Sequence, residues 1–254
     1  MKPAPNQSMP ARRTMAEAEA AAIVPSRRFP LSVLRRPCCA ARRAAQSQHP
    51  FLQVHSMTYA SLATGVLLAA GRGSRFDPSG VQNKLLAPLA DGTPLARASA
   101  HRLLISVPRV IAVVRPGAEA LAHVLNEAGC DVVFSSDAQR GMGASLAAGV
   151  RASGDAEGWL VALADMPWIA TATVEAVTRT LGAGASLVVP FYRGQRGHPV
   201  GFANEHYDAL AALDGDTGAR ALLAAHQVTR IDVDDWGVVG DVDTADDLKR
   251  SFSR

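Results

Sequence analysis

The sequence predicts an α/β protein whose mixed, mostly parallel sheet is flanked by helices. Three observations predict it. From Thr64 onward, short apolar strand patterns alternate with longer stretches of helical periodicity, the mark of consecutive β-α-β units. The first apolar run, Gly65–Ala70, empties directly into a glycine-rich turn, as a parallel strand does where it reaches its loop. Hydrophobic residues make up 48% of the 254-residue chain but aromatics only 5%, which suits a core of alanine, valine and leucine.

Each element has its own signal. Gly65–Ala70 is the first strand. Pro94–Ser106 is a helix, with Leu95, Ala98, Leu103 and Leu104 at helical spacing. Arg109–Val114 is a strand, Gly117–Ala128 a helix and Asp131–Phe134 a short strand. Met142–Ala152 is helical and opens at Gly141-Met142-Gly143-Ala144-Ser145. Trp159–Ala164 is an apolar strand ending at Asp165. Ala170–Leu181 is a helix and Ser186–Val189 a buried strand. Pro190–Phe202 reads as a polar loop or β-excursion. Two helices follow, near Asn204–Leu213 and Thr217–His226, then a strand at Val228–Asp232. A closing helix is expected over Asp243–Ser251, its acids Asp246 and Asp247 first and its bases Lys249 and Arg250 last, matching the helix dipole.

Charge divides the chain in two. Residues 1–56 hold nine Lys/Arg against Glu17 and Glu19, a balance of +7, and the remainder is −4. The basic character belongs to the leading segment, so it does not argue for nucleic acid as a partner. Residues 1–58, rich in Ala, Arg, Pro and Ser, are expected to be a disordered basic extension, with Met57 a candidate start. A transit peptide is the competing reading of that composition. One domain is expected over 59–254. Cys38, Cys39 and Cys130 have no metal-binding spacing, a reduced, cytoplasmic pattern. No apolar run reaches the ~18 residues of a membrane span, so no membrane partner is expected.

The most informative stretch is Leu67-Leu68-Ala69-Ala70-Gly71-Arg72-Gly73-Ser74-Arg75, followed by Lys84. Glycines let backbone N–H groups close around phosphate oxygens, and the cations offset their charge. A nucleoside triphosphate at the carboxyl end of the first strand fits this pattern. The G-x-x-x-x-G-K-[ST] pattern is absent, and the loop lacks the third glycine of the dinucleotide fingerprint. Asp165, in Ala162-Leu163-Ala164-Asp165-Met166-Pro167, is either a Mg²⁺ ligand or a turn aspartate. Asp243 or Thr244 is a helix cap, a role compatible with metal ligation. The turn before Ser145 can offer helix N-terminal donors or be an ordinary turn. Arg193 and Arg196, in Phe191-Tyr192-Arg193-Gly194-Gln195-Arg196-Gly197-His198-Pro199, suit a phosphorylated partner, with a solvated β-turn as the alternative.

Taken in order, LLAAGRGSR at 67–75, Lys84, GMGASLAAGV at 141–150, LADMP at 163–167, RGHPVGF at 196–202, GDTGARALL at 215–223 and VDTADDL at 242–248 resemble the molybdenum cofactor cytidylyltransferases, over roughly residues 64–250. The resemblance implies a Rossmann-like nucleotidyltransferase fold and transfer of CMP from CTP to the phosphate of molybdopterin, releasing pyrophosphate. It implies that Gly71, Arg72, Gly73, Ser74, Arg75 and Lys84 hold the triphosphate, with Arg75, Lys84 and Asp165 catalytic. Ala69 and Ala70 would line the base site, Ser145 would lie near the nucleoside, and Asp165 and Asp243 would bind Mg²⁺. Arg196, Gly197, His198 and Pro199 would face the pterin, and a client molybdoenzyme is an implied partner. Phe76–Asn83 makes a longer approach to Lys84 than the family pattern, and Ala245 stands where proline is usual. Competing readings are a cytidylyl-, uridylyl- or guanylyltransferase acting on another phosphorylated acceptor, and a non-catalytic cofactor-delivery module.

Overall fold

The computed structural model describes residues 63–79 and 82–249. The expectations for the basic extension, and for the end of the closing helix at Arg250 and Ser251, lie outside these residues. Eight strands form one sheet: β1 (Ala63–Leu68), β2 (Val110–Val114), β3 (Asp131–Phe134), β4 (Gly158–Leu163), β5 (Leu187–Tyr192), β6 (Gln195–Arg196), β7 (Val200–Ala203) and β8 (Thr229–Asp232). Their order is β3-β2-β1-β4-β7-β5-β6, with β8 along β5. β1 lies parallel between β2 and β4, and β2 parallel to β3. β7 runs antiparallel to both β4 and β5, so the sheet is mixed but mostly parallel.

The helices are α1 (Leu95–Leu104), α2 (Glu119–Glu127), α3 (Met142–Arg151), α4 (Thr171–Gly182), α5 (Tyr207–Ala211) and α6 (Arg220–Ala225). They divide between the two faces. Leu95 and Leu103 of α1, Leu121 and Leu125 of α2, and Val174 and Val177 of α4 share one apolar cluster. Leu146 and Val150 of α3, Leu210 of α5 and Leu223 of α6 share the other. Strand pleating feeds both layers: along β1 and its exit, Leu67 and Ala69 join the first cluster, while Val66, Leu68 and Ala70 face the second. Trp159 of β4 is fully buried on that second side, and its indole N–H donates to Ser153 Oγ at 3.0 Å.

Of the two readings of 190–202 the β-excursion is the one found: the β5–β6 hairpin leads into β7, a buried strand inserted between β4 and β5. One expectation changes. The closing segment is a turn in its described part, with a single 3₁₀ turn at Asp247–Lys249. The Asp247 carboxylate folds back to accept from the N–H groups of Asp243 (3.1 Å) and Thr244 (2.7 Å) and from the Thr244 hydroxyl (2.8 Å). These local bonds compete with a continuing helical ladder. Among the described residues, no helix is long and apolar enough to cross a membrane.

Candidate active site

The carboxyl ends of β1, β2 and β4 open onto one crevice, where ligands of open parallel sheets commonly sit. The β1 and β4 ends are tied together, since the Ala164 N–H donates to Leu68 O at 3.1 Å. The glycine loop leaves β1, turns at Gly73, whose carbonyl accepts from Phe76 and Asp77, and adopts φ +63° there. A β-carbon at Gly73 would lie 3.1 Å from Lys84 Cβ, so the loop packs directly on the lysine's stem.

Hydrogen bonds hold the described residues of the approach to Lys84. Asp77 accepts from the Ser79 N–H (2.9 Å), the Ser79 hydroxyl (2.6 Å) and the Gln82 N–H (2.7 Å). Asn83 then caps a 3₁₀ turn over Lys84–Leu86 by accepting from Leu85 N–H at 3.0 Å. Lys84 is thereby fixed at the start of a turn, with its side chain only 11% exposed. Its ammonium lies 2.8 Å from Asp165 Oδ2 and 3.7 Å from Asp243 Oδ1.

Asp165 stands just beyond β4, and its carbonyl accepts from Val242 N–H at 3.0 Å. That bond lays the carboxy-terminal segment across the strand end. Arg75 then reaches Asp243 Oδ2 with a close ion pair across 168 residues of sequence. Arg75, Lys84, Asp165 and Asp243 therefore form one cluster beside the glycine loop. Asp241 adds a third carboxyl: burial, then Asp243 and Asp165, push its pKa up from the ordinary value, partly offset by a backbone hydrogen bond and by Lys84.

Asp165 Oδ1 is buried and has no hydrogen-bond partner among the described residues. An unpaired carboxylate oxygen out of water is costly unless a cation or donor completes it. With Asp243 alongside, these oxygen donors fit a hard divalent cation of the Mg²⁺ or Mn²⁺ type, which takes one or two carboxylates and completes its shell with water and phosphate oxygens.

Beside the cluster is a cavity of about 420 Å³. Gly73, Ser74, Arg75, Lys84 and Asp243 lie outside its lining, whereas Ala70, Gly71, Arg72, Ser145 and Asp165 line it. Ala69 does not. It is 2% exposed and packed on the α1–α2–α4 side, because consecutive residues leaving β1 point to opposite faces. Sequence reasoning missed three polar liners, Arg115, Gln139 and Asp216. Arg115 directly follows β2, a position that the strand-end rule could have flagged. Asp216 arrives from a distant loop clamped against the start of α3: Arg140 donates to Asp214 (2.8 Å), and Gly143 N–H donates to Gly215 O (2.7 Å). That second bond engages one of the helix donors expected to be free for a ligand. The Ser145 hydroxyl donates to Gly141 O at 3.1 Å.

The 196–199 segment packs on Val238 and brings His198 near Asp165, without lining the cavity. Gly197 N–H donates to Pro190 O and His198 N–H to Val238 O, both at 2.9 Å, and the His198–Pro199 peptide is cis. Arg196 is exposed on β6, whereas Gly197 and Pro199 are buried. Burial pulls the His198 imidazole down to about 4, against the opposing influence of the Asp165 carboxylate. At neutral pH it is uncharged. An unfolded chain protonates this residue near 6.5, so between pH 6.5 and 4 the unfolded state binds the extra proton and folding stability falls as pH drops. Wild type is expected to lose up to about 1.4 kcal/mol per pH unit from this residue across that window, and His198→Gln to lose that part of the slope. Urea unfolding of both proteins at pH 7 and pH 5 checks this, and identical slopes refute it.

Comparison with known proteins agrees with this architecture. The family model described as the MobA-like NTP transferase domain matches residues 65–230, spanning the glycine loop through β8. The chain belongs to the MobA-like NTP-transferase family. This family member is 32% identical to the nicotine blue oxidoreductase of Paenarthrobacter nicotinovorans over 197 residues, 74% of this chain and 95% of that one. It superposes on Rv0371c from Mycobacterium tuberculosis H37Rv with a TM-score of 0.64 at 31% identity, over 74% of this chain and 96% of that one. A crystal structure of Rv0371c in complex with manganese gives 0.59 at 30% identity, with the same coverage.

Proposed function

We propose that this NTP-transferase domain transfers a nucleotidyl group from a nucleoside triphosphate to a phosphorylated acceptor, and that the pair is CTP and molybdopterin. The observation that carries the reaction class is the meeting of Lys84, Arg75, Asp165 and Asp243 beside the glycine loop, with one Asp165 oxygen buried and unpartnered. A phosphate monoester is largely dianionic at neutral pH, its second pKa being about 6. It attacks the α-phosphorus without a general base. The new P–O bond forms as the bond to the β-phosphate oxygen breaks, and pyrophosphate departs with the electron pair.

The protein's work is then alignment and charge neutralisation. Gly71 and Gly73 would admit the phosphates close to backbone N–H groups, with Arg72, Arg75 and Lys84 drawing charge from the β- and γ-phosphates. Asp165 and Asp243 would hold Mg²⁺, which withdraws charge from the phosphate oxygens. Gly197, His198 and Pro199, with Arg196 outside them, would bound the acceptor. His198, neutral beside Asp165, can orient that acceptor without adding charge. The ordered motif series supports molybdopterin as acceptor.

Ala70 supports the choice of CTP. Related guanylyltransferases read Ala-Gly-Gly where this chain has Ala69-Ala70-Gly71, and the Ala70 methyl faces the cavity. CTP is expected to turn over at least about tenfold faster than GTP, a modest difference for a single methyl in a pocket, and Ala70→Gly is expected to narrow the gap. Incubation with each triphosphate, Mg²⁺ and molybdopterin, with mass detection of the dinucleotide, tests substrate and base together. Equal rates defeat the base assignment, and absence of product with CTP defeats the acceptor.

A second reading rests on one comparison, the 32% identity to a nicotine blue oxidoreductase. It requires the same cavity to hold an electron donor. Consumption of reduced nicotinamide nucleotide in the presence of nicotine blue, without pyrophosphate release from any triphosphate, favours it over transfer.

A further inference from the structure

We propose that Lys84 is the resident counter-ion of the Asp165–Asp243 pair, so that a divalent cation enters only together with a triphosphate that draws the ammonium away. This rests on the nucleotidyl-transfer reading and specifies how loading of that site is controlled.

The geometry places one cation where another would bind. The Lys84 ammonium sits between the two carboxylates, at 2.8 Å from Asp165 Oδ2 and 3.7 Å from Asp243 Oδ1. Arg75 holds the other oxygen of Asp243. Three of the pair's four carboxylate oxygens are thus engaged by monovalent cations, and the fourth, Asp165 Oδ1, is buried with no hydrogen-bond partner among the described residues. A divalent ion arriving alone must enter against the covered Lys84 ammonium, whereas the Arg75 guanidinium is exposed and can swing into water. The lysine stem is largely covered, so the head cannot simply retreat into water while keeping a partner.

A triphosphate changes this balance. Gly73 packs against Lys84 Cβ, so phosphates held by the glycine loop lie within the swing of the same side chain. The ammonium then exchanges carboxylates for phosphate oxygens, and the carboxylates it leaves are free for the metal. Metal and triphosphate therefore help each other to bind, and the coupling is reciprocal. Lys84 is the element that generates it, because it partners the carboxylates in one state and the phosphates in the other.

The test uses Mn²⁺, with which the relative Rv0371c has been crystallised, and a CTP analogue with a methylene between the α- and β-phosphorus. Mn²⁺ affinity is measured by electron paramagnetic resonance of the free ion, with and without analogue, on wild type, Lys84→Gln and Lys84→Arg. Wild type is expected to bind Mn²⁺ at least tenfold more tightly with the analogue present. Lys84→Gln is expected to bind Mn²⁺ alone at least tenfold more tightly than wild type and to lose the coupling, whereas Lys84→Arg, keeping the charge, binds Mn²⁺ alone as weakly as wild type. If wild type binds metal and analogue independently, or Lys84→Gln gains no affinity for free Mn²⁺ while its circular dichroism is unchanged, the exchange is wrong although transfer can stand. Should Lys84→Gln fail to fold, the wild-type coupling and the arginine variant still decide. If wild type binds no metal–analogue complex at all, the transferase reading itself fails.

Discussion

Asp165→Asn is expected to lower the rate of nucleotidyl transfer at least about a hundredfold while leaving the fold intact. Asparagine keeps the shape of the side chain and replaces one carboxylate oxygen by an amide. It removes the charge that fits a divalent cation, and losses of two to three orders are ordinary when one preorganised electrostatic group is deleted. The loss should fall on kcat more than on KM, because Arg72, Gly71 and Ser145 still line the cavity. Lys84 loses its nearest partner but keeps Asp243 at 3.7 Å, so the destabilisation stays well below that of a fully stranded buried charge. Pyrophosphate release under saturating triphosphate, with urea unfolding as the control for folding, checks both halves. A variant retaining a third or more of wild-type turnover excludes Asp165 from the chemistry.

Gly141→Ala is expected to have the largest effect on the cavity of any change that replaces no charged residue. Gly141 has φ +137° and ψ −173°, a region that only glycine occupies readily. A β-carbon there would fall 2.1 Å from Asp216 Oδ1 and 2.5 Å from the Gly215 carbonyl carbon. The second clash is with backbone, so the 214–218 loop must move. Its bond to Gly143 N–H then breaks and the wall that carries Asp216 opens. Strain and overpacking together suggest a loss of about 2–4 kcal/mol, with weaker triphosphate binding. Ala144→Gly, one turn further in, changes helix propensity without this clash and costs about 1 kcal/mol or less. Urea midpoints and nucleotide titration of the two variants separate the effects. Similar nucleotide affinity for Gly141→Ala and wild type refutes the argument.

The alternation of strand and helix was legible because burial on both faces leaves continuous apolar runs, as in Val110–Val114, and because helices such as α1 show their buried stripe. β7 was harder to read. Its four residues follow a run of arginines and glycines, and its place between β4 and β5 depends on antiparallel pairing that local sequence does not encode. At the site, the charged and glycine residues of the first loop announced themselves by type. The opposite facing of Ala69 and Ala70 follows from simple strand alternation and could have been read. Arg115, Gln139 and Asp216 could not be recognised by residue type, since single polar residues at element ends are common. They become visible when the sheet brings the strand ends together and the 214–218 loop docks on α3. The closing turn misled because Asp247 acts as a local hydrogen-bond acceptor where charge patterning suggested the first turn of a helix.

The bond from Val242 N–H to Asp165 O has a consequence for how the protein is made. The ribosome delivers the chain in order, so all eight strands, the glycine loop and the cavity wall emerge before Asp243 does. A polypeptide that stopped after β8 would already carry the residues that line the cavity but not Asp243. Such a product would lack Val238 and Val242 from the apolar core as well as the carboxylate that Arg75 grips, so packing and the charge cluster are completed together by the last residues to leave the ribosome.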